Sequence, residues 1–364
     1  EQLEQLVKDT ISLKQYQQEP SSEEDLKKIP LLTKDDIDDY IEPINNIEEE
    51  INNVKIVKHN LFTNGIGYLR LYFNTINVPK KLIPYIGLLT KVLGKMNTKQ
   101  HTYQDLTTEI NANTGGINTS MTVVSLQNNK CLPLFTFAAS SLFEKSDFVL
   151  DVLKEIIKET VFTDEKRLYE IIAETKSQMQ MQLMGAGHAA AYVRSGSYVR
   201  SYLKYQDEVD GISQYWFIEE LEKDFNNKKE EIISNLKQLL IYIFRKENLI
   251  ISYTGDNDSY KTYISSLINE LYNEEINKEP FEFVKEIKNE GFKTPSQVQY
   301  VARFGNFEEV GDYTGAFQVF GMALRYDYLW TQVRVLGGAY GCMTQTNRQK
   351  DIYYVSYRDP NLER

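Results

Sequence analysis

The chain has 364 residues, room for two domains, and its 41% hydrophobic and 12% aromatic content is ample for packed cores. Its 41 Lys and Arg against 52 Asp and Glu give a formal charge of -11, with the acids scattered among lysines, which argues against a nucleic-acid-binding face and suits basic peptides. Two cysteines, Cys131 and Cys342, make no disulfide framework and predict free thiols in a reducing compartment, and no apolar run reaches the roughly 20 residues of a membrane helix.

The chain opens on Glu1 without a signal-peptide pattern and reads as an excised piece of a longer protein. Leu3, Leu6, Val7, Thr10 and Leu13 fall at helical spacing. Pro20 should stop that helix, Ser21 or Ser22 should cap a short acidic turn, and Thr33 with Asp36 reads as a capping box. Residues 1–50 are thus expected to form a helical linker. Strands are expected at Val54 to Val57 and Ile66 to Phe73, with a turn at Asn64-Gly65. Helices follow through Ile86 to Leu93 and over Tyr103 to Ile110, then a Thr114-Gly115-Gly116 turn and strands at Ile117 to Ser125 and Leu134 to Ser140.

Residues 146–160 carry Phe148, Val149, Val152, Leu153, Ile156 and Ile157 on one helical face. Thr163 is the expected cap of the next helix, whose Met179, Met181 and Met184 read as gap-filling core. Leu239 to Phe244 is a further apolar segment, and Asn248 to Tyr253 a strand that closes an α+β domain over 51–260. A charged, partly helical connection over 261–296 leads to a second unit, 297–364: a strand at Gln297 to Phe304, a helix from about Gly315 to Trp330, and strands near Tyr340 and Tyr353.

The densest stretch is Trp330 to Gly341, in which Arg334, Gly337-Gly338 and Tyr340 follow an apolar run. Glycine permits close approach of another chain, Arg offers five fixed donors, and a Tyr hydroxyl can donate or accept. The set suits holding a peptide backbone. It equally describes a glycine-rich helix-to-strand turn with a surface Arg and a packed Tyr.

Three motifs, Thr63 to Phe73, Trp330 to Gly341 and Ser356 to Leu362, with the linker pattern before them, resemble the presequence-protease and falcilysin-like subfamily of the pitrilysin/insulinase zinc peptidases. The resemblance implies two homologous peptidase-superfamily domains, each a mixed, mostly antiparallel sheet covered by helices, the second truncated. It implies the C-terminal half of a zinc oligopeptidase, partnered by an N-terminal half that holds the zinc, with unfolded peptides cleaved in a closed chamber. Arg334 and Tyr340, eased by Gly337 and Gly338, would then meet the substrate carbonyl. The competing expectation is a non-catalytic peptide-binding or scaffold subunit, as in processing-peptidase complexes.

Such peptidases need His-x-x-Glu-His on one helix. The three histidines here, His59, His101 and His188, are too far apart for that motif, and their convergence in space lacks any spacing signal. No metal site and no catalytic residue is therefore expected in this chain, which alone should cleave nothing. His188, in Gly185-Ala186-Gly187-His188, is expected to cap or hydrogen-bond a neighbouring backbone, and the resemblance extends to this Gly-x-Gly-His pattern and to the later Gly-x-Ser helix start, here Gly211-Ile212-Ser213. The Glu23-Glu24-Asp25 and Asp35-Asp36 clusters sit at helix starts, where acids favour the dipole. There is no Gly-x-Ser-x-Gly turn and no Walker loop, and neither cysteine has a sequence-adjacent base, although Cys342 beside Tyr340 is a candidate for oxidation sensitivity. The Asn, Ile and Lys richness suggests an AT-rich genome, and the resemblance, nearer to bacterial members, implies a cytoplasmic protein, with an organelle as the alternative.

Overall fold

The computed structural model describes residues 2–18, 22–38 and 40–361. The chain divides into two units, Glu1–Ile44 and Asn45–Arg364. In the first, α1 (Gln2–Gln18) and α2 (Glu23–Leu26) form as the pattern predicts. Ser22 Oγ caps α2 by accepting from the Asp25 N–H at 3.1 Å, while Pro20 and the alternative cap Ser21 lie outside the described residues. The Thr33 N–H donates to Asp36 Oδ2 at 2.6 Å, closing the expected box around a 3₁₀ turn. The α1 residues at helical spacing, Leu3, Leu6, Val7 and Leu13, are all exposed.

The second unit begins with a hairpin, β1 (Asn46–Ile51) and β2 (Val54–His59). Residues 46–50, read from sequence as linker, are therefore strand. Asn52 and Asn53 join the two strands with φ of 52° and 60°, the left-handed conformation that asparagine tolerates and that two-residue hairpins favour. Then come β3 (Ile66–Asn74), α3 (Ile83–Val92), α4 (Tyr103–Asn113), β4 (Gly116–Ser125), β5 (Cys131–Leu142), α5 (Ser146–Glu159), α6 (Glu165–Gly185), α7 (Gly187–Ser197), α8 (Ser201–Asp210), α9 (Ile212–Lys223), α10 (Phe225–Ile243), β6 (Leu249–Thr254) and α11 (Tyr260–Glu270). Asp164, not Thr163, caps α6, taking the Arg167 N–H on its carboxylate at 3.0 Å.

The strands form one six-stranded sheet in the order β1-β2-β6-β3-β5-β4, antiparallel except for the parallel pair β2 and β6. Strand β6 separates β2 from β3, so the Asn64-Gly65 turn joins strands that do not pair. Ile56, Leu71, Phe73, Phe135, Phe137 and Ile251 from the sheet share one core with Leu89 of α3, Leu153 of α5, Leu239 of α10 and Leu267 of α11. All are buried, and each such side chain contributes about 1.5–3 kcal/mol of hydrophobic stabilisation. Of the three methionines read as core, Met179 is buried, while Met181 and Met184 are exposed.

Only Tyr260–Glu270 of the expected helical connection is helix. Beyond it the chain is extended, held by Glu279 and Phe281 N–H bonds to the Asn77 and Ile76 carbonyls. Arg194 grips it further on, with Nε and Nη2 on the Glu290 carboxylate at 2.7 and 3.0 Å and Nη1 on Asp207 Oδ2 at 2.7 Å. Asp207 is fully buried, and its Oδ1 accepts the Ile212 N–H at 3.0 Å, starting α9 at the predicted place.

A second sheet, β7-β9-β8, follows: β7 (Gln299–Asn306), α12 (Ala316–Ala323) continuing into a π-helix (Leu324–Leu336), β8 (Gly341–Thr346) and β9 (Asp351–Asp359), all antiparallel. The expected helix therefore runs past Trp330 to Leu336. Helix α7 packs on one face of this sheet, where His188 meets Tyr357 (ring centroids 4.8 Å apart) and, one turn on, Tyr192 meets Tyr353 (4.5 Å). The fold is α+β, with a mixed six-stranded sheet and a smaller antiparallel one.

Candidate functional site

Arg334 lies in the π-helix, not on a strand, and the four-residue spacing from Trp330 places its guanidinium 4.1 Å from the indole centroid. The same cation stands 5.3 Å from the Tyr340 ring. Stacking on two aromatic faces holds the guanidinium plane without using its in-plane donors. Among the described residues no carboxylate lies within ion-pair distance of Arg334, so those donors are uncommitted.

The chain reverses between Arg334 and Tyr340. The Gly338 N–H donates to the Arg334 carbonyl at 2.9 Å and the Ala339 N–H to the Val333 carbonyl at 3.1 Å, which closes the helix end. Gly338 has φ +80°, and a Cβ on Gly337 would lie 2.5 Å from the Val333 oxygen, so both positions require glycine. The Tyr340 N–H then donates to the Tyr357 carbonyl at 3.0 Å, tying the residue to the end of β9, while its ring is 64% exposed. The Arg is half-buried and the Tyr exposed, the reverse of a turn with a surface Arg and a packed Tyr.

The second motif meets the first here. Asn361 donates through Nδ2 to the Gly337 carbonyl at 2.5 Å, its own N–H reaches Asp359 Oδ1 at 2.9 Å, and Pro360 lies against Gly338. Leu362, the last residue of that motif, lies outside the described residues. Sequence reasoning passed over Trp330 as the guanidinium's platform, although its spacing from Arg334 on a helix was the available signal.

His188 is near this site but does not donate to a backbone as expected. It packs on Tyr357, its Nδ1 is buried without a hydrogen-bond partner, and burial holds its pKa below the usual imidazole value. Tyr357 in turn meets the Tyr340 ring at 5.8 Å. His101 is elsewhere, bonded through Nδ1 to Glu155 Oε1 at 2.9 Å. Among the described residues, no three His, Cys, Asp or Glu side chains gather as a metal site would require. Cys342 is buried, which raises its thiol pKa and works against oxidation at that position.

Residues 1–221 match the family model described as peptidase M16, subfamily C, associated. The chain belongs to that family. Residues 289–364 also match the model of the PreP C-terminal domain. Among curated proteins the chain is 36% identical to Protein HypA of Clostridium perfringens over 99% of its own length and 38% of that protein. It is 28% identical to Presequence protease 1, chloroplastic/mitochondrial, of Arabidopsis thaliana over 100% of this chain and 34% of the relative. The chain thus spans a little over a third of these relatives, and it corresponds to the C-terminal half of a presequence protease-like M16 peptidase. Two solved structures share its fold at 14% identity. One is a conserved protein of Enterococcus faecalis (TM-score 0.61, 86% of this chain and 75% of that one), the other a peptidase M16 inactive domain of Pseudomonas fluorescens (TM-score 0.54, 86% and 74%). The relatives include bacterial, mitochondrial and chloroplastic proteins, and among the described residues no helix is long and apolar enough to cross a membrane.

Proposed function

We propose that this chain is the half of a zinc oligopeptidase that binds no zinc, closing with an N-terminal half around unfolded peptides and supplying Arg334 and Tyr340 to the substrate. In this reading 51–260 and 297–364 belong to two copies of one module joined by 261–296, residues 1–50 link this half to the N-terminal half, and the enzyme is cytoplasmic. The reading rests above all on one observation: the Arg334 guanidinium is fixed on Trp330, with no acidic partner among the described residues, beside the exposed ring of Tyr340.

Held this way, the guanidinium can donate to a peptide carbonyl without first breaking an ion pair, and the Tyr340 hydroxyl can give a second donor to the same oxygen as negative charge develops there. Donors arranged before the reaction lower the barrier most. Gly337 and Gly338 leave room for the peptide backbone beside them. The residues described here do not form a zinc ligand set, and the metal's part of the reaction belongs to the other half.

The test uses the full-length enzyme. Arg334→Ala and Tyr340→Phe should each lower kcat/KM for peptide cleavage by about 10²–10³-fold, with zinc content by metal analysis unchanged. Unchanged rates would leave this half as a wall and scaffold, the non-catalytic alternative.

A further inference from the structure

The face of the second sheet that carries α7 holds a cavity of about 170 Å³, lined by Tyr192, Gln345, Thr346, Asn347, Asp351 and Tyr353. That exceeds the ~150 Å³ in which an engineered protein cavity holds benzene. Strand β8 connects it to the Arg334 and Tyr340 site. Gln345 lies five residues beyond Tyr340, roughly 17 Å along an extended strand, and Tyr353 and Tyr357 point to the same face of β9, one toward the cavity and the other toward Tyr340.

The lining chemistry defines what fits. Asp351 is 1% exposed, and its charge is already matched: Arg200 Nε lies 3.1 Å from Oδ1, and Asn306 and Asn347 donate to its two oxygens at 2.8 and 3.2 Å. Burial raises the pKa of both Tyr192 and Tyr353, so these phenols stay protonated and neutral. Arg325, whose charge reaches Tyr353, does not line the cavity and gives Nη2 to the Thr344 carbonyl at 2.8 Å. Among the described residues the lining offers an entering ion no unpaired counter-charge.

The remaining hydrogen-bonding capacity is that of an amide partner. Tyr353 donates its hydroxyl to Gln345 Oε1 at 2.8 Å, which leaves the Gln345 Nε2 hydrogens free to donate and the Tyr353 oxygen free to accept. Tyr192 shares one hydrogen bond with Tyr202 at 3.3 Å and keeps a second site on its oxygen. A carboxamide presents one acceptor and two donors to match this set. We infer that the cavity between α7 and the end of β8 is a specificity subsite for an Asn or Gln side chain of a bound peptide, about five residues from the bond held at Arg334 and Tyr340.

The subsite rests on the proposed peptide-binding reading, and the test separates the two. The 364-residue chain is titrated with fluorescein-labelled unstructured decapeptides identical except for one central residue, Gln, Leu or Glu, and binding is read by anisotropy. The Gln peptide should bind about five- to tenfold more tightly than the other two. A Gln345→Leu/Tyr353→Phe double variant should erase that preference and leave Leu-peptide affinity unchanged, which a misfolded variant would not do. Equal affinity for the three peptides, or a preference that survives the double variant, overturns the subsite. Arg334→Ala is run alongside. If it weakens all three peptides alike and preserves the Gln preference, both readings stand; if Arg334→Ala leaves kcat/KM of the full-length enzyme unchanged while the preference is present, the Arg334 reading fails and the cavity stands alone.

Discussion

Helix α5 and the α12–π-helix run are both rich in apolar residues, yet they sit in opposite surroundings. Helix α5 buries Val149, Leu150, Val152, Leu153, Ile156 and Ile157, whereas α12 and the π-helix bury no residue, leaving Val319, Phe320, Val335 and Leu336 all more than half exposed. Around the six-stranded sheet burial decides where side chains go. Around Arg334 the deciding interactions are few and particular: one indole, two glycines and one asparagine. A region fixed by burial should respond to lost volume, and a region fixed by single contacts should respond to lost geometry.

The largest effect is therefore expected in the core of the six-stranded sheet. Phe137 packs against Phe135 and Phe244 with ring centroids 5.4 and 5.6 Å away, and Phe137→Ala should destabilise the chain by about 3–5 kcal/mol in a denaturant titration. The matched change Phe320→Ala, at a residue 56% exposed, should stay within about 0.5 kcal/mol. Similar losses at the two positions would mean that the α12 face is covered in solution, and the contrast would collapse.

One chemical change, glycine to alanine, should act with opposite sign at two places in the same stretch. Gly338 has φ +80°, where a Cβ costs about 1–2 kcal/mol, so Gly338→Ala should destabilise and should loosen the pairing of Tyr340 with β9. Gly321 lies inside α12 with open space around its Cα, so Gly321→Ala should stabilise by about 0.5–1 kcal/mol through helix propensity alone. Thermal melts of the two variants check both signs. A neutral Gly338→Ala would show that the turn at Arg334 relaxes freely and holds no fixed geometry.

What could be read from the sequence follows the same division. Helix α5 was legible because its apolar residues repeat at the helical period and the core enforces that pattern. Strand β1 was not, because Glu48, Glu49 and Glu50 interrupt any alternation and the strand is held by its hairpin partner β2. Capping of α6 was placed one residue early, since Thr163 and Asp164 are both good caps and only the backbone decides between them. Arg334, Tyr340 and the glycine pair stood out by residue type, but the helix was expected to end at Trp330, whereas it runs on to Leu336 and carries Arg334 with it. The bond from Asn361 to the Gly337 carbonyl was not visible, because it joins positions 24 residues apart through a fold that no local pattern encodes. The cavity beside Tyr353 was hidden for the same reason: its walls come from α7, β8 and β9, which meet only in the folded chain.

The smallest effect is electrostatic and belongs again to the region around the six-stranded sheet. His101 donates through Nδ1–H to the Glu155 carboxylate, and that hydrogen bond raises its pKa above the usual histidine value, against a smaller opposing effect of burial. A raised folded-state pKa means that the protonated imidazolium stabilises the native state. The contribution is fully present below the unfolded value near 6.5 and is lost as pH rises through the folded value. His101 is 36% exposed, so solvent screens the pair and the effect should be below about 1 kcal/mol. Stability measured from about pH 5.5 to 8.5 should decline by that amount in wild type, and His101→Gln, which keeps a donor but cannot charge, should remove that step from the profile. A decline of equal size in the variant would assign the pH dependence to other groups and leave the Thr98 to His101 turn held by its neutral hydrogen bonds alone.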